Sequence, residues 1–199
     1  ELARRDRERP LQVLAIGCAT NVASALLLAP DIASRIVVSW TSAYPSFWPY
    51  ANASYNLAQD LHAARVLFES GVPLVYLPGY YVGEELRVSL PEIEAYAAGC
   101  GPVGAYLVDI YRAWGATARR PGASKVLWDL INVAWVVNPA WLATELVTSP
   151  SLGEDLRWVH HTADRHLIRE ATDVDRDSIM SDLFARLAAQ AALPVTPSS

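Results

Sequence analysis

Residues 11–40 read LQVLAIGCATNVASALLLAPDIASRIVVSW, and their order decides the fold class. Residues 11–17, an apolar run behind Pro10, suit a buried parallel strand. The turn Cys18-Ala19-Thr20-Asn21 leads into VASALLLA, an apolar-periodic helix that Pro30 ends. Residues 36–38 are a second short apolar run. Strand, helix and strand make a βαβ unit, which predicts an α/β fold: an open, mostly parallel, Rossmann-like sheet flanked by helices. Ligands of such sheets lie at the carboxyl ends of the strands. Thr20 and Trp40 fall there, Thr20 as a helix cap or part of a site, Trp40 as core or part of a wall.

Outward from this unit, residues 41–55 form a long loop carrying Tyr44, Phe47, Trp48, Tyr50 and Tyr55. Loops this long tend to be functional, and the rings suit either a flap that stacks on a flat ligand or a segment tucked on a neighbouring subunit. From Asn56, the pattern NLAQDLHAARVLFES predicts one helix with Leu57, Leu61, Ala64, Leu67 and Phe68 on its apolar face. Asp60 and His62 read as solvent-side residues of it, and Gly71 ends it. Residues 74–77 are a third strand, with Tyr80 and Tyr81 beyond its carboxyl end. Two helices follow over 92–98 and 103–114, then a polar loop over 115–124.

The run KVLWDLINVAWVVNP, residues 125–139, is an apolar helix with one acid, Asp129, at its start. Asp129 either caps the helix by accepting a backbone N–H or aims its oxygens at a cation or a substrate hydroxyl. Residues 143–153 read as an irregular link, and 156–160 with 165–172 as a hairpin-like pair at the sheet edge. His160, His161 and His166 lack a zinc-binding spacing. Asp175 caps a last amphipathic helix, and residues 195–199 read as a frayed tail.

The 199 residues suit a single domain over 1–194. The composition is 52% hydrophobic, which argues against disorder, and the longest apolar runs fall short of a membrane span. A net charge of −5 gives no reason to expect nucleic acid. Cys18 and Cys100 are too few for a disulfide framework, so reduced thiols and a cytoplasmic protein are expected. The opening ELARRDRERP carries no secretory signal and lacks an initiator Met, which suits a fragment or processed chain.

LAIGCATNVASALLLAP, IVVSWTS, SYNLAQDLHAARVLFESGVPLVYLP and VLWDLINVAWVVNP, in that order, resemble the inosine–uridine preferring nucleoside hydrolase family. The resemblance implies an open α/β sheet with calcium at the strand carboxyl ends and hydrolysis of the N-glycosidic bond of ribonucleosides by an activated water. By the family pattern, the Thr20 carbonyl and the Asp129 carboxylate are metal ligands. Asn56 holds ribose hydroxyls, and Trp40 lines the ribose where many members have methionine. Ser54 replaces a ribose-binding glutamate, and Trp128 stands where some members carry a histidine that protonates the leaving base. The family's Asp-rich amino-terminal loop, with the general base and most calcium carboxylates, has no match before residue 11, since Asp6 lies in a charged segment. The chain is therefore expected to be the second portion of such a domain, its base supplied by a preceding segment or another chain, and a homo-oligomeric dimer or tetramer. Ser54 and Trp128 also suit a non-catalytic module that keeps the fold for binding or assembly.

Overall fold

Ile36–Ser42 form β2, buried along nearly its whole length, as a strand covered on both faces must be. The computed structural model describes residues 1–5, 8–114, 120–160 and 164–192. Asp6, His161, the tail and part of the loop over 115–124 lie outside them. β1 (Leu11–Ala15) and β3 (Leu74–Pro78) pair in parallel with β2, placing Val13 opposite Val38 and Trp40 opposite Tyr76. β9 (Leu167–Val174) runs parallel to β3, and β6 (Leu142–Thr148) lies antiparallel to β9. The sheet order is β1-β2-β3-β9-β6, the mostly parallel sheet the βαβ pattern predicts.

The chain divides into two compact units, residues 1–85 with 128–174, and residues 86–127 with 175–199. In the first, alternation along β2 sends Val38 and Trp40 to one face and Ser39 and Thr41 to the other. The first face packs with α1 (Thr20–Leu28) and α3 (Leu61–Glu69) around Leu26, Leu67, Phe68 and Tyr76. Burying each large side chain there contributes about 1.5–3 kcal/mol. The edge-to-face pair of Phe68 and Tyr76, 5.2 Å apart, adds about 0.5–1.5 kcal/mol. α6 (Leu130–Val137) packs on β1 and β2.

Three sequence expectations need correction. Residues 56–70 form two helices, α2 (Tyr55–Gln59) and α3, because Asp60 leaves helical geometry and caps α3 by accepting the Ala63 N–H at 2.9 Å. Residues 143–153 are not an irregular link, since β6 occupies most of them. β9 is an interior strand, while β8 (Trp158–Val159) pairs with β7 (Ser151–Leu152) instead. The polar residues of β6 disguised that strand, whereas the strand expected over 165–172 is present as β9 and differs only in its partners. Glu145 sits on an edge strand with one solvated side. Arg169 donates to Thr144 Oγ1 at 2.9 Å.

In the second unit, β4 (Arg87–Ser89) and β5 (Ser124–Val126) pair antiparallel beside α4 (Leu90–Ala97), α5 (Gly101–Ala113) and α7 (Arg176–Ala191). Ser89 and Glu92 form a capping box at the start of α4, and Asp175 caps α7 through the Ser178 N–H at 3.0 Å. α5 approaches the end of α4 so closely that a Cβ on Gly104 would lie 2.0 Å from the Ala97 carbonyl oxygen. Cys18 and Cys100 are free thiols. No helix among the described residues is long and apolar enough to cross a membrane.

Candidate functional site

The carboxyl ends of β1, β2 and β3 open into a cavity of about 370 Å³, a ligand-sized space at the place where open α/β sheets bind. Ile16 follows β1, Thr41 and Ser42 end β2, and Gly79 and Tyr80 follow β3. Ser54, Tyr55 and Asn56 arrive with the start of α2, and Trp128 and Asp129 with the start of α6.

Four sequence-derived site residues thus share one cavity: Asn56, Ser54, Trp128 and Asp129. Asn56 donates through Nδ2 to the Thr41 carbonyl at 3.3 Å, and its amide oxygen has no hydrogen bond among the described residues. Asp129 holds the N-cap position of α6, but its side chain makes no capping hydrogen bond. The capping alternative is therefore set aside. Its carboxyl faces the cavity, and partial withdrawal from water pushes it above the usual carboxylate range.

Ser54 lines the wall with its hydroxyl already engaged. It accepts the Ala43 N–H at 3.0 Å and lies 3.0 Å from Ser42 Oγ. Ala43 sits at φ +55, a left-handed conformation that side chains avoid. Ser54 holds one side of this turn, and the Tyr80 N–H donates to the Ala43 carbonyl at 3.1 Å on the other.

Trp40 and Thr20 do not line the cavity. Trp40 is 0% exposed, packed near Phe68 and Tyr76, with Nε1 donating to the Gly17 carbonyl at 2.8 Å. Its place on the β2 face turned toward α1 and α3 makes it part of the core, away from the cavity lining. Thr20 is the first residue of α1 rather than its cap, which is Ala19. Its hydroxyl donates to Asp60 Oδ2 at 2.5 Å. That bond, then the Ala63 amide, holds the Asp60 carboxyl below its ordinary range.

The aromatic loop stacks on itself. Tyr44 lies between Trp48, at 4.6 Å and 10°, and Tyr80, at 4.3 Å and 15°. Tyr80 meets Trp128 edge to face at 5.5 Å, which joins this column to the cavity wall. A buried carboxylate latches the same loop to the sheet. Glu170 accepts from the Ser46 N–H at 2.7 Å and Ser46 Oγ at 2.6 Å, and burial still pushes its carboxyl upward.

Sequence reading missed Asn132, Thr41 and Glu170. Asn132 is buried in α6, where its side chain accepts from Thr41 Oγ1 and donates to the Ser39 carbonyl at 3.1 Å. One amide in an apolar helix was the available signal, since a buried amide needs partners.

Calcium takes roughly six to eight oxygen ligands. Among the described residues, Asp129 is the one carboxylate lining the cavity, and no group of three or more His, Cys, Asp or Glu could hold a metal. The donors described here therefore do not fit a calcium shell.

A family model, "Inosine-uridine preferring nucleoside hydrolase", matches residues 1–181. A pyrimidine-specific ribonucleoside hydrolase, RihA, from Klebsiella pneumoniae (strain 342) is 27% identical over 198 residues, covering 92% of this chain and 63% of that protein. The solved structure of an inosine-guanosine nucleoside hydrolase superposes with a TM-score of 0.75 at 17% identity, covering 92% of this chain and 63% of the other. That of the inosine-uridine preferring nucleoside hydrolase from Bacillus anthracis gives 0.72 at 18%, covering 93% and 62%. The chain spans somewhat less than two thirds of the length of these relatives.

Proposed function

Because the chain belongs to the inosine-uridine preferring nucleoside hydrolase family, we propose that it forms the sugar-holding wall of a site that hydrolyses the N-glycosidic bond of ribonucleosides. The observation that carries this is the convergence of Asn56 and Asp129, from two distant segments, on one cavity at the strand carboxyl ends. In the reaction the water oxygen bonds to the anomeric carbon as its bond to the base nitrogen breaks, through a sugar with oxocarbenium character; the water gives up one proton and the departing base takes one up, so the products are ribose and neutral base. Asn56 suits a ribose hydroxyl, because the Thr41 carbonyl fixes its amide and turns the free oxygen to accept. Asp129 accepts a second hydroxyl and places negative charge near the positive charge that develops on the sugar. A partly desolvated carboxylate does this better than one in bulk water.

Trp128 and Tyr80 form the aromatic side of the cavity, where a nucleobase ring packs. Trp128 carries no acid for the leaving base, and the phenols among the described lining residues are those of Tyr55 and Tyr80. By the family likeness, calcium would activate the water, with Asp129 among the residues that would hold it, and the protein would assemble as a homo-oligomer. The cavity's described donors do not support the metal by themselves.

The test is hydrolysis of inosine and uridine by the full-length protein, followed as release of free base. Turnover of either riboside is expected. Inactivity toward both, with retained ribonucleoside binding, would move the assignment to a binding module. That second reading is favoured by Ser54, whose hydroxyl is committed to Ser42 and Ala43.

A further inference from the structure

Asn132 is 0% exposed in the helix LINVAWVV, whose other inward residues are Ile131 and Ala134. An apolar residue would satisfy that pattern, and an amide buried without partners is costly. Each polar atom of this amide is used. Oδ1 accepts from the Thr41 hydroxyl. Nδ2 faces the Ser39 carbonyl at 3.1 Å, Ser39 Oγ at 3.3 Å and the Ala15 carbonyl at 3.5 Å. One side chain therefore ties the first turn of α6 to the carboxyl ends of β1 and β2.

Two further bonds carry this tie to the cavity. The Asn132 N–H donates to the Asp129 carbonyl at 3.2 Å, so anchoring Asn132 also anchors the residue one turn before it. On the other side, the main-chain carbonyl of Thr41 accepts from Asn56 Nδ2. Asp129 and Asn56 are thus both referenced to Thr41, one through Asn132 and one directly.

We propose that Asn132 is a positioning residue which, through Thr41, sets the placement of Asp129 relative to Asn56. This rests on the ribonucleoside site described above. Small displacements of reacting groups cost large factors in rate, and a fully satisfied buried network is a stiff way to prevent them.

The experiment uses the full-length protein with inosine and uridine as probes. Asn132→Ala and Thr41→Val are each expected to lower kcat/KM at least about tenfold. Thr41→Val keeps the branched shape and removes the hydroxyl, whereas Thr41→Ser keeps the hydroxyl and removes the methyl. Thr41→Ser is expected to restore kcat/KM to within about threefold of wild type, which a packing role would not produce. The double variant Asn132→Ala/Thr41→Val is expected to be no worse than Asn132→Ala alone, since both changes break one link.

Full activity of folded Asn132→Ala, or an equal loss in Thr41→Ser and Thr41→Val, would overturn the positioning role while leaving the function intact. Should Asn132→Ala fail to fold, the two Thr41 variants decide. A wild-type protein that neither cleaves nor binds the ribosides removes the function itself, and the positioning role with it.

Discussion

Asp129 stands at a helix start without capping it, so its carboxylate is free for a ligand. Asp129→Asn in the full-length protein is expected to lower riboside kcat/KM by about a hundredfold or more, near 2.7 kcal/mol. Its melting temperature should stay level or rise slightly, which thermal denaturation checks. Glu170 gives a prediction with pH. Its folded pKa is raised by burial, so the fold binds the proton more tightly than the unfolded chain does. Stability from this group is greatest below the unfolded value, about 4.3, and declines as pH rises through the folded value. Glu170→Gln, which keeps an acceptor for Ser46, should therefore match or exceed wild-type stability at pH 8 and lose that advantage near pH 4. Glu170→Ala should cost about 2–4 kcal/mol in urea unfolding, because it orphans the Ser46 donors and leaves a cavity. Of the residues lining the cavity, Asn56, Ser54 and Trp128 were named through the family resemblance, and Asp129 both through it and as a lone acid before an apolar helix. Asn132, Thr41 and Glu170 were not, because their roles lie in bonds across 91 and 124 residues that no local pattern reports.

Among the elements, β1, α1, β2 and β3 were legible because apolar runs and Pro or Gly punctuation mark buried parallel strands and their crossovers. β6 was hidden by its exposed polar positions, Glu145 among them, while β9 was legible as a strand and only its interior place in the sheet was not. The break between α2 and α3 was hidden too, because Asp60 reads as an ordinary polar position until its partners are seen. Asp60→Ala should cost about 1–2 kcal/mol at pH 7, as loss of an N-cap does. Its folded pKa is depressed, chiefly by the Thr20 hydroxyl. This contribution is present above the unfolded value of about 3.9 and fades as pH falls through the folded value. The gap between variant and wild type in urea midpoint should therefore narrow in acid. Gly104→Ala should destabilise by about 1–3 kcal/mol through overpacking, because its methyl meets the Ala97 carbonyl. Chemical denaturation of the variant checks this.

For the molecule as a whole, the cavity rests on buried strands of the first unit: β2 and β3, whose carboxyl ends meet it, are buried along nearly their whole length. β2 and β3 are interior strands of the sheet, and β1 is an edge. Backbone amides of β2 and β3 should show the slowest hydrogen exchange in the first unit and β1 faster exchange, measured by mass spectrometry of the exchanged chain. The cavity floor is thus built on interior strands, while its aromatic side rests on a loop. The column of Trp48, Tyr44 and Tyr80 also gives that loop an optical signature. Near-ultraviolet circular dichroism reports fixed aromatic packing, and the far-ultraviolet signal reports the backbone. Undocking of the loop should dim the first and spare the second, so its movement can be followed in solution with no label attached.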